Sequence, residues 1–385
     1  MIDFDFSTKC YSCGACKAVC PKNAIMMSEN CLPIVGEFCV DCGLCEKVCP
    51  YLNEQKYGKQ IDGDGYVARN KDLEVRKNSS SGGVFQLLAQ EAIGLGWYVC
   101  GCAYDDELMP RHIVSNDGAG IRHMMGSKYV KSDLVEALVQ IKNLRKNGFF
   151  VLFSGTPCQI AAVRNMFPED KQIVCVGVVC HGSIERNIWK VYLEQEGKRG
   201  SIKAVTMRDK SKGWLNYGLK FTFEDGTEHI TYRKADGYFL KAFTDGLLER
   251  DRCLDCAYKG NRIKADILLG DAWGMESECP ELVDAWGLSC IICLTDIGRD
   301  FFDAAREGLE VREVKVEKLI ERNQRIISPA RVDTRYKAFR KKIDASPERI
   351  QELCKQYEKL TIMNRISSKL RFMREKIKTV IQTKT

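Results

Sequence analysis

No stretch of this sequence is apolar for anything near the ~18 residues that a membrane-spanning helix needs. The longest apolar runs, 149–153 and 173–180, have the length of strands. The opening residues, Met1-Ile2-Asp3-Phe4-Asp5-Phe6, hold neither a basic segment nor a long apolar one, so a secretory signal is not expected. Neither G-x-G-x-x-G nor G-x-x-x-x-G-K-[ST] occurs, which removes the dinucleotide fingerprint and the P-loop. The body also lacks an excess of one charge. Residues 360–385 hold seven Lys and Arg against Glu375 alone, a net +6, and the whole chain carries +7, so the rest carries 7 − 6 = +1. That balance gives no nucleic-acid footprint.

What the sequence has in plenty is cysteine, 20 in 385 residues. In a short secreted chain such a count reads as disulfides. In a chain of this size without a signal it reads as metal binding, and a reducing cytoplasm follows because thiolates must stay free to ligate iron.

Residues 1–55 are a repeat. Cys10-x2-Cys13-x2-Cys16-x3-Cys20-Pro21 recurs 29 residues later as Cys39-x2-Cys42-x2-Cys45-x3-Cys49-Pro50. Three cysteines spaced by two residues can wrap three irons of a cubane, and in the two-cluster pattern the cysteine before proline ligates the other cluster. Cys10, Cys13, Cys16 and Cys49 are therefore expected on one [4Fe–4S] cluster, and Cys39, Cys42, Cys45 and Cys20 on the second. Zinc is the rival, but it wants four ligands per ion in two pairs. Gly14 and Gly43, each after the second cysteine of its run, fit a backbone crowded against a cluster. Cys31 lies outside both runs and reads as a spare thiol.

The pattern then changes. Residues 56–64, with Gly58 and Gly63, read as a linker. Apolar runs at 66–68, 97–100, 149–153, 173–179 and 267–269 predict strands. Helical periodicity at 84–93, 134–145, 159–167 and 184–194 predicts helices between them. Strands alternating with helices imply an α/β sheet covered on its faces. Segments 217–223 and 228–232 alternate around Asp225-Gly226 as an antiparallel hairpin does. A further apolar run at 288–294 precedes a helix near 299–307. The expected organisation is a ferredoxin-like α+β 2[4Fe–4S] module at 1–55, the linker 56–64, a larger α/β domain with a mixed sheet at 65–345, which becomes a flavin-binding domain if the turn at 79–83 holds a flavin's pyrophosphate, and a basic helical tail at 346–385.

Four cysteines of the larger domain stand at strand ends or in turns: Cys158 in Gly155-Thr156-Pro157-Cys158-Gln159, Cys180 in Val179-Cys180-His181-Gly182, and the pair Cys253-x2-Cys256. Open α/β sheets gather ligands at the carboxyl ends of their strands. The four can thus converge as a third four-thiolate site. Alternatively, Cys158 is a reactive thiolate at a helix start and the CxxC a zinc half-site or a redox pair. Ser79-Ser80-Ser81-Gly82-Gly83 opens a helix, where N–H groups welcome phosphate, or simply caps that helix.

In order across 65–330, Ser80-Ser81-Gly82-Gly83, Gly126-Ser127-Lys128-Tyr129, Gly155-Thr156-Pro157-Cys158-Gln159, Cys180-His181-Gly182, Cys253-x2-Cys256 and Gly270-Asp271-x-Trp273-Gly274 resemble the family of coenzyme F-420 hydrogenase/dehydrogenase beta subunits. The resemblance implies FAD, a [4Fe–4S] cluster within the same domain, and chemistry on a deazaflavin or another two-electron partner. It makes Cys158, Cys180, Cys253 and Cys256 ligands of a third cluster. Ser81, Gly82, Gly83, Ser127 and Lys128 become flavin contacts, Lys128 steadying an anionic ring or the pyrophosphate. His181 and Asp271 are further residues for the pocket.

The second CxxC, Cys290 and Cys293, lies in an apolar run and reads as core, as do Cys100, Cys102, Cys175, Cys279 and Cys354. His112 and His123 read as surface or core histidines. In the tail, Met363, Ile366, Leu370, Met373, Ile377 and Val380 recur at helical spacing among basic residues, which suits either an anionic membrane surface or a docked terminal helix. The expected function is an oxidoreductase that passes electrons between clusters, served by a ferredoxin or a companion redox protein of the same complex, and an FAD that meets a two-electron small-molecule substrate such as coenzyme F-420. An accessory electron carrier without substrate chemistry and a role in cell-envelope polysaccharide synthesis are the alternatives. The expected location is the cytoplasm, with peripheral contact at the inner membrane surface through the tail.

Overall fold

The computed structural model describes residues 1–54, 58, 60–330 and 333–359. Its centre is an eight-stranded mixed sheet. In spatial order the strands are Leu309–Val314, Asp64–Asn70, Ser289–Cys293, Ile267–Asp271, Ile173–Val178, Val151–Gly155, Tyr98–Tyr104 and Pro110–Ser115. The four from Ile267–Asp271 to Tyr98–Tyr104 are mutually parallel and the flanking ones antiparallel. Val151–Gly155 is buried along its whole length, as expected for parallel strands covered on both faces.

Alternation sends the side chains to two cores. Phe153, Cys175, Leu268 and Ile292 pack with Leu138, Ile141 and Ile160 from the helices Val135–Lys146 and Pro157–Met166 on one face. Leu152, Val174, Leu269 and Ile291 pack with Leu88, Ala92, Phe301 and Phe302 from Val84–Gly94 and Asp296–Ala305 on the other. Cys290 falls in the first core and Cys293 in the second. Three residues apart on a strand, they point to opposite faces and cannot share a metal.

A smaller antiparallel sheet, Glu228–Tyr232, Gly218–Phe223 and Ile202–Asp209, contains the expected hairpin and a third strand that the sequence reading did not include. It packs with the helices Arg186–Gly197 and Tyr238–Thr244 around Trp189, Tyr192, Phe221, Phe239 and Phe243. Ile350, Leu353, Cys354 and Tyr357 enter this same core. The first part of the expected tail at 346–385 thus packs into the body. The spacing 350, 353, 354, 357 puts one apolar helical face inward, so the chain stays in the body through 359. The basic segment 360–385 lies outside the described residues. Among the described residues no helix is long and apolar enough to cross a membrane.

The N-terminal module contributes a short hairpin, Ile25–Met27 with Pro33–Val35, and two matched helices, Ala15–Val19 and Leu44–Val48. Each helix follows a left-handed glycine, Gly14 at φ +72° and Gly43 at φ +71°. Cys13, Ala15 and Val48 join the core formed with the helix Val135–Lys146, so module and sheet share one interior. From the expected linker, Gly58 N donates to Asn261 Oδ1 at 2.9 Å and Ile61 is buried. Residues 55–57 and 59 of that region lie outside the described ones.

Candidate functional site

The folding of the parallel strands decides where the cysteines of the larger domain meet. After Val151–Gly155 the chain turns at Thr156, whose N–H donates to Gln159 Oε1 at 3.0 Å, and Pro157 opens the helix with its fixed φ. That places Cys158 at the carboxyl edge of the sheet. Cys180 follows the end of Ile173–Val178 at the same edge, and Cys253 lies in the one-turn helix Asp251–Leu254 nearby. Cys158, Cys180, Cys253 and Cys256 all line one cavity of about 640 Å³. Cys180 and Cys256 each stand within electrostatic reach of other cysteines of the four. Burial pushes the Cys180 thiol up to about 12 and that of Cys256 higher, against the pull of the Lys259 ammonium. A metal binding these thiols must displace their protons. Lys259 is held in place by hydrogen bonds to Cys180 O (2.5 Å) and Arg325 O (2.8 Å).

The N-terminal cysteines fall into two groups. Cys13 and Cys16 stand within electrostatic reach of Cys10 and of the distant Cys49, and burial raises the Cys16 thiol to about 12. Cys20, Cys39, Cys42 and Cys45 border a separate small cavity. Among the described residues no three His, Cys, Asp or Glu side chains gather as they do around a single ion. The thiolates of a cubane bind different irons and stand further apart than the ligands of one ion.

Between the first of these groups and the third cysteine set lies a packed seam. Tyr11, Tyr258 and Ala161 form a small buried cluster against which Cys158 and Cys256 pack. The two tyrosine rings meet edge to face at 5.2 Å. Tyr258 is within electrostatic reach of both Cys13 and Cys158, and its hydroxyl donates to Pro50 O at 2.7 Å. Arg252 Nη2 donates to Tyr11 Oη (2.5 Å) and pairs with Glu54, while Arg250 Nη2 donates to Ser12 Oγ (2.6 Å) and Cys10 O (3.2 Å). None of Tyr11, Tyr258, Arg250 and Arg252 was singled out from sequence. The only signal was position: Tyr11 follows Cys10, Arg250 and Arg252 precede Cys253, and Tyr258 follows Cys256.

Most of the expected flavin contacts border the same cavity, with changed duties. Gly83, at φ +82°, caps the helix Val84–Gly94 and lines the cavity with Ser81, Ser127 and Lys128. Ser127 Oγ donates to Ser80 Oγ at 2.7 Å, and Ser81 Oγ bonds to Leu288 O. Gly82 is absent from the lining. Its N–H donates to Ser289 Oγ at 3.0 Å, its carbonyl accepts from Asn70 N at 2.7 Å, and a Cβ there would lie 2.4 Å from Ala68 O, so it serves packing. Lys128 donates to the carbonyls of His123 (3.0 Å), Met125 (2.7 Å) and Gly126 (3.3 Å) at the end of the helix Gly118–Met124. Its three donors are spent on that helix end, and burial lowers its pKa to about 8.

His181 lines the cavity with Nε2 3.0 Å from Thr244 O and 3.5 Å from Glu249 Oε1. Burial lowers His181 to about 4 and raises Glu249 to about 8, disfavouring the charged form of each. Asp271 accepts from Arg208 Nη1 (2.6 Å) and Trp214 Nε1 (3.1 Å). His112 is core: its Nδ1 meets Ser132 Oγ and its Nε2 meets Ser154 O, each at 3.1 Å, and its ring stacks on Phe153. Cys102, read as core, instead lines the cavity half-buried.

Known proteins resemble this chain in both of its regions. Residues 9–53 match the 4Fe-4S dicluster domain. Residues 150–318 match the family described as the C-terminal part of coenzyme F420 hydrogenase/dehydrogenase beta subunits. A curated relative, one of the F(420)H(2) dehydrogenase subunits of Methanosarcina mazei, is 22% identical over 339 residues, covering 79% of this chain and 84% of that protein. A chain in the solved F420-reducing [NiFe] hydrogenase complex from Methanosarcina barkeri is 20% identical with a TM-score of 0.48, covering 70% of this chain and 93% of that one. Residues 150–318 are thus similar to the C-terminal part of the coenzyme F420 hydrogenase/dehydrogenase beta subunits, and a match to the 4Fe-4S dicluster domain precedes that region.

Proposed function

We propose that the chain is an iron–sulfur flavoprotein oxidoreductase. In this reading 1–55 is the two-cluster module, with Cys10, Cys13, Cys16 and Cys49 holding one cluster and Cys39, Cys42, Cys45 and Cys20 the other. Cys158, Cys180, Cys253 and Cys256 hold a third, and the rest of the cavity takes FAD. Bound there, clusters supply single-electron transfer and a flavin supplies the exchange between one- and two-electron chemistry.

The observation that carries the reading is the meeting of four thiols from three distant segments in one cavity whose wall also includes Ser79, Ser80, Ser81 and Gly83. The cavity's chemistry suits an anionic cofactor. Seven Lys and Arg side chains line it, against one acid, Asp271. The chain's own part is to exclude water from the seam with Tyr11 and Tyr258, to hold the module with Arg250 and Arg252, and to present N–H groups at the start of Val84–Gly94. The name of the curated relative points to coenzyme F420 as the two-electron partner and, as one chain of a larger dehydrogenase, to a companion redox protein.

The test is anaerobic purification with iron, sulfide and flavin counted together. About twelve irons and one FAD per chain are expected from three cubanes. About eight irons and no flavin would leave an electron carrier without substrate chemistry and sink the proposal.

A further inference from the structure

Arg208 lies on the strand Ile202–Asp209, and its side chain is only 5% exposed where it borders the cavity. Its Nη1 donates to Asp271 Oδ2 at 2.6 Å. Its Nε and Nη2 have no hydrogen-bond partner among the described residues. The guanidinium is clamped in place, 4.5 Å from the Tyr217 ring centroid and 5.4 Å from that of Trp273, which stacks on Trp214 at 4.3 Å. A rigid buried guanidinium that leaves donors unmet carries a desolvation cost, and an oxyanion that presents two oxygens to the Nε and Nη2 edge meets such donors.

The surroundings separate Arg208 from other cations of the cavity. Lys128, Arg250 and Lys259 give donors to carbonyls or a hydroxyl. Lys210, which reaches in behind the turn 79–83, donates to Arg76 O, Ser81 O and Trp286 O. Arg208 alone among these keeps buried donors without an acceptor. Asp271 is bound on both oxygens, by Arg208 and by Trp214 Nε1, so it fixes the guanidinium's orientation and leaves the remaining N–H groups for a ligand.

We propose that Arg208 is the seat of an oxyanion, a phosphate or a carboxylate, carried by the ligand that fills the cavity. Two sources share that chemistry: the pyrophosphate of the flavin and an anionic group on the two-electron substrate. The identity of the ligand rests on the flavin reading above, whereas the seat itself does not.

The test uses the full chain, purified anaerobically with its clusters and then freed of flavin. Inorganic pyrophosphate is titrated while thermal unfolding is followed, in wild type, Arg208→Gln and Arg208→Lys. The visible iron–sulfur absorbance of each variant verifies that it has folded. Pyrophosphate is expected to raise the wild-type Tm, with the effect lost in Arg208→Gln and partly kept in Arg208→Lys. FAD and riboflavin then separate the sources. If the seat takes the flavin's phosphate, Arg208→Gln weakens FAD by about ten- to a hundredfold and leaves riboflavin unchanged. If it takes the substrate's anion, FAD binding holds within about threefold and the KM for coenzyme F420 rises by a similar ten- to hundredfold. Equal pyrophosphate effects in all three proteins, or none in any, with FAD binding and KM unchanged, would overturn the seat and make Arg208 a packing residue. Pyrophosphate binding through Arg208 in a protein that takes no FAD would keep the seat and remove the flavin reading.

Discussion

The runs beginning at Cys10 and Cys39 are one motif written twice, and the two copies end in opposite surroundings. In the first, Tyr11, Ser12, Cys13 and Ala15 are all buried, and Ser12 is only 1% exposed. In the second, the corresponding Val40 is 59% exposed, Cys42 is exposed, and the neighbouring Phe38 is 80% exposed. The glycines repeat the contrast. A Cβ on Gly14 would lie 2.5 Å from Val135 Cγ2, whereas one on Gly43 would meet nothing closer than Glu46 Oε2 at 4.0 Å. Both glycines are needed for their positive φ, but only the first is also a docking contact. A symmetric sequence has thus been made directional by its neighbours. One cysteine run faces the third cysteine set and the other faces outward.

The largest expected effect comes from cutting the inner side. Replacing Cys253 and Cys256 by Ala should remove about four irons, leave the N-terminal pair intact, and slow electron exchange between that pair and the flavin by more than ~100-fold, read by anaerobic stopped flow. Next is the pair Gly14→Ala and Gly43→Ala. Each should lose about 1 kcal/mol for a left-handed backbone without glycine. Gly14→Ala additionally forces the Val135 contact and should cost roughly 1–3 kcal/mol more, measured by denaturant unfolding. Equal losses would break the comparison. Phe38→Ser should slow exchange with a protein redox partner by ~3–10-fold while leaving reaction at the flavin unchanged, because it alters the outward face alone. The smallest effect is Arg250→Met. Removing a cation beside Cys10 and Ser12 should lower the midpoint potential of the inner cluster by roughly tens of millivolts and leave the outer one in place, read by redox titration.

The sequence shows the cysteine sets better than their setting. The cysteine spacings mark both N-terminal sets, and the strand-end positions of Cys158 and Cys180 bring them to one edge, because parallel strands deliver their following turns to the same side. The buried strands are legible because they are continuously apolar. Ile202–Asp209 is not: several residues of this edge strand are exposed, and Arg208 on it looks like any surface arginine until the fold closes over it. Lys128 shows the reverse failure. A lysine beside a glycine turn suggests an anion, yet three carbonyls at a helix end already take its donors. The asymmetry of the two runs was equally hidden, because it is set by Val135, Arg250 and Tyr258, far from either motif.

The proposed function requires one adjacency, that of the inner N-terminal cluster and a third cluster on Cys158, Cys180, Cys253 and Cys256. Electron paramagnetic resonance of the fully reduced chain tests it most directly, because neighbouring reduced cubanes broaden and split one another's signals. Wild type should show interaction beyond that of a two-cluster module, and Cys253→Ala should reduce the spectrum to the two-cluster form. Superimposable spectra from the two proteins, each with about eight irons, would contradict the claim.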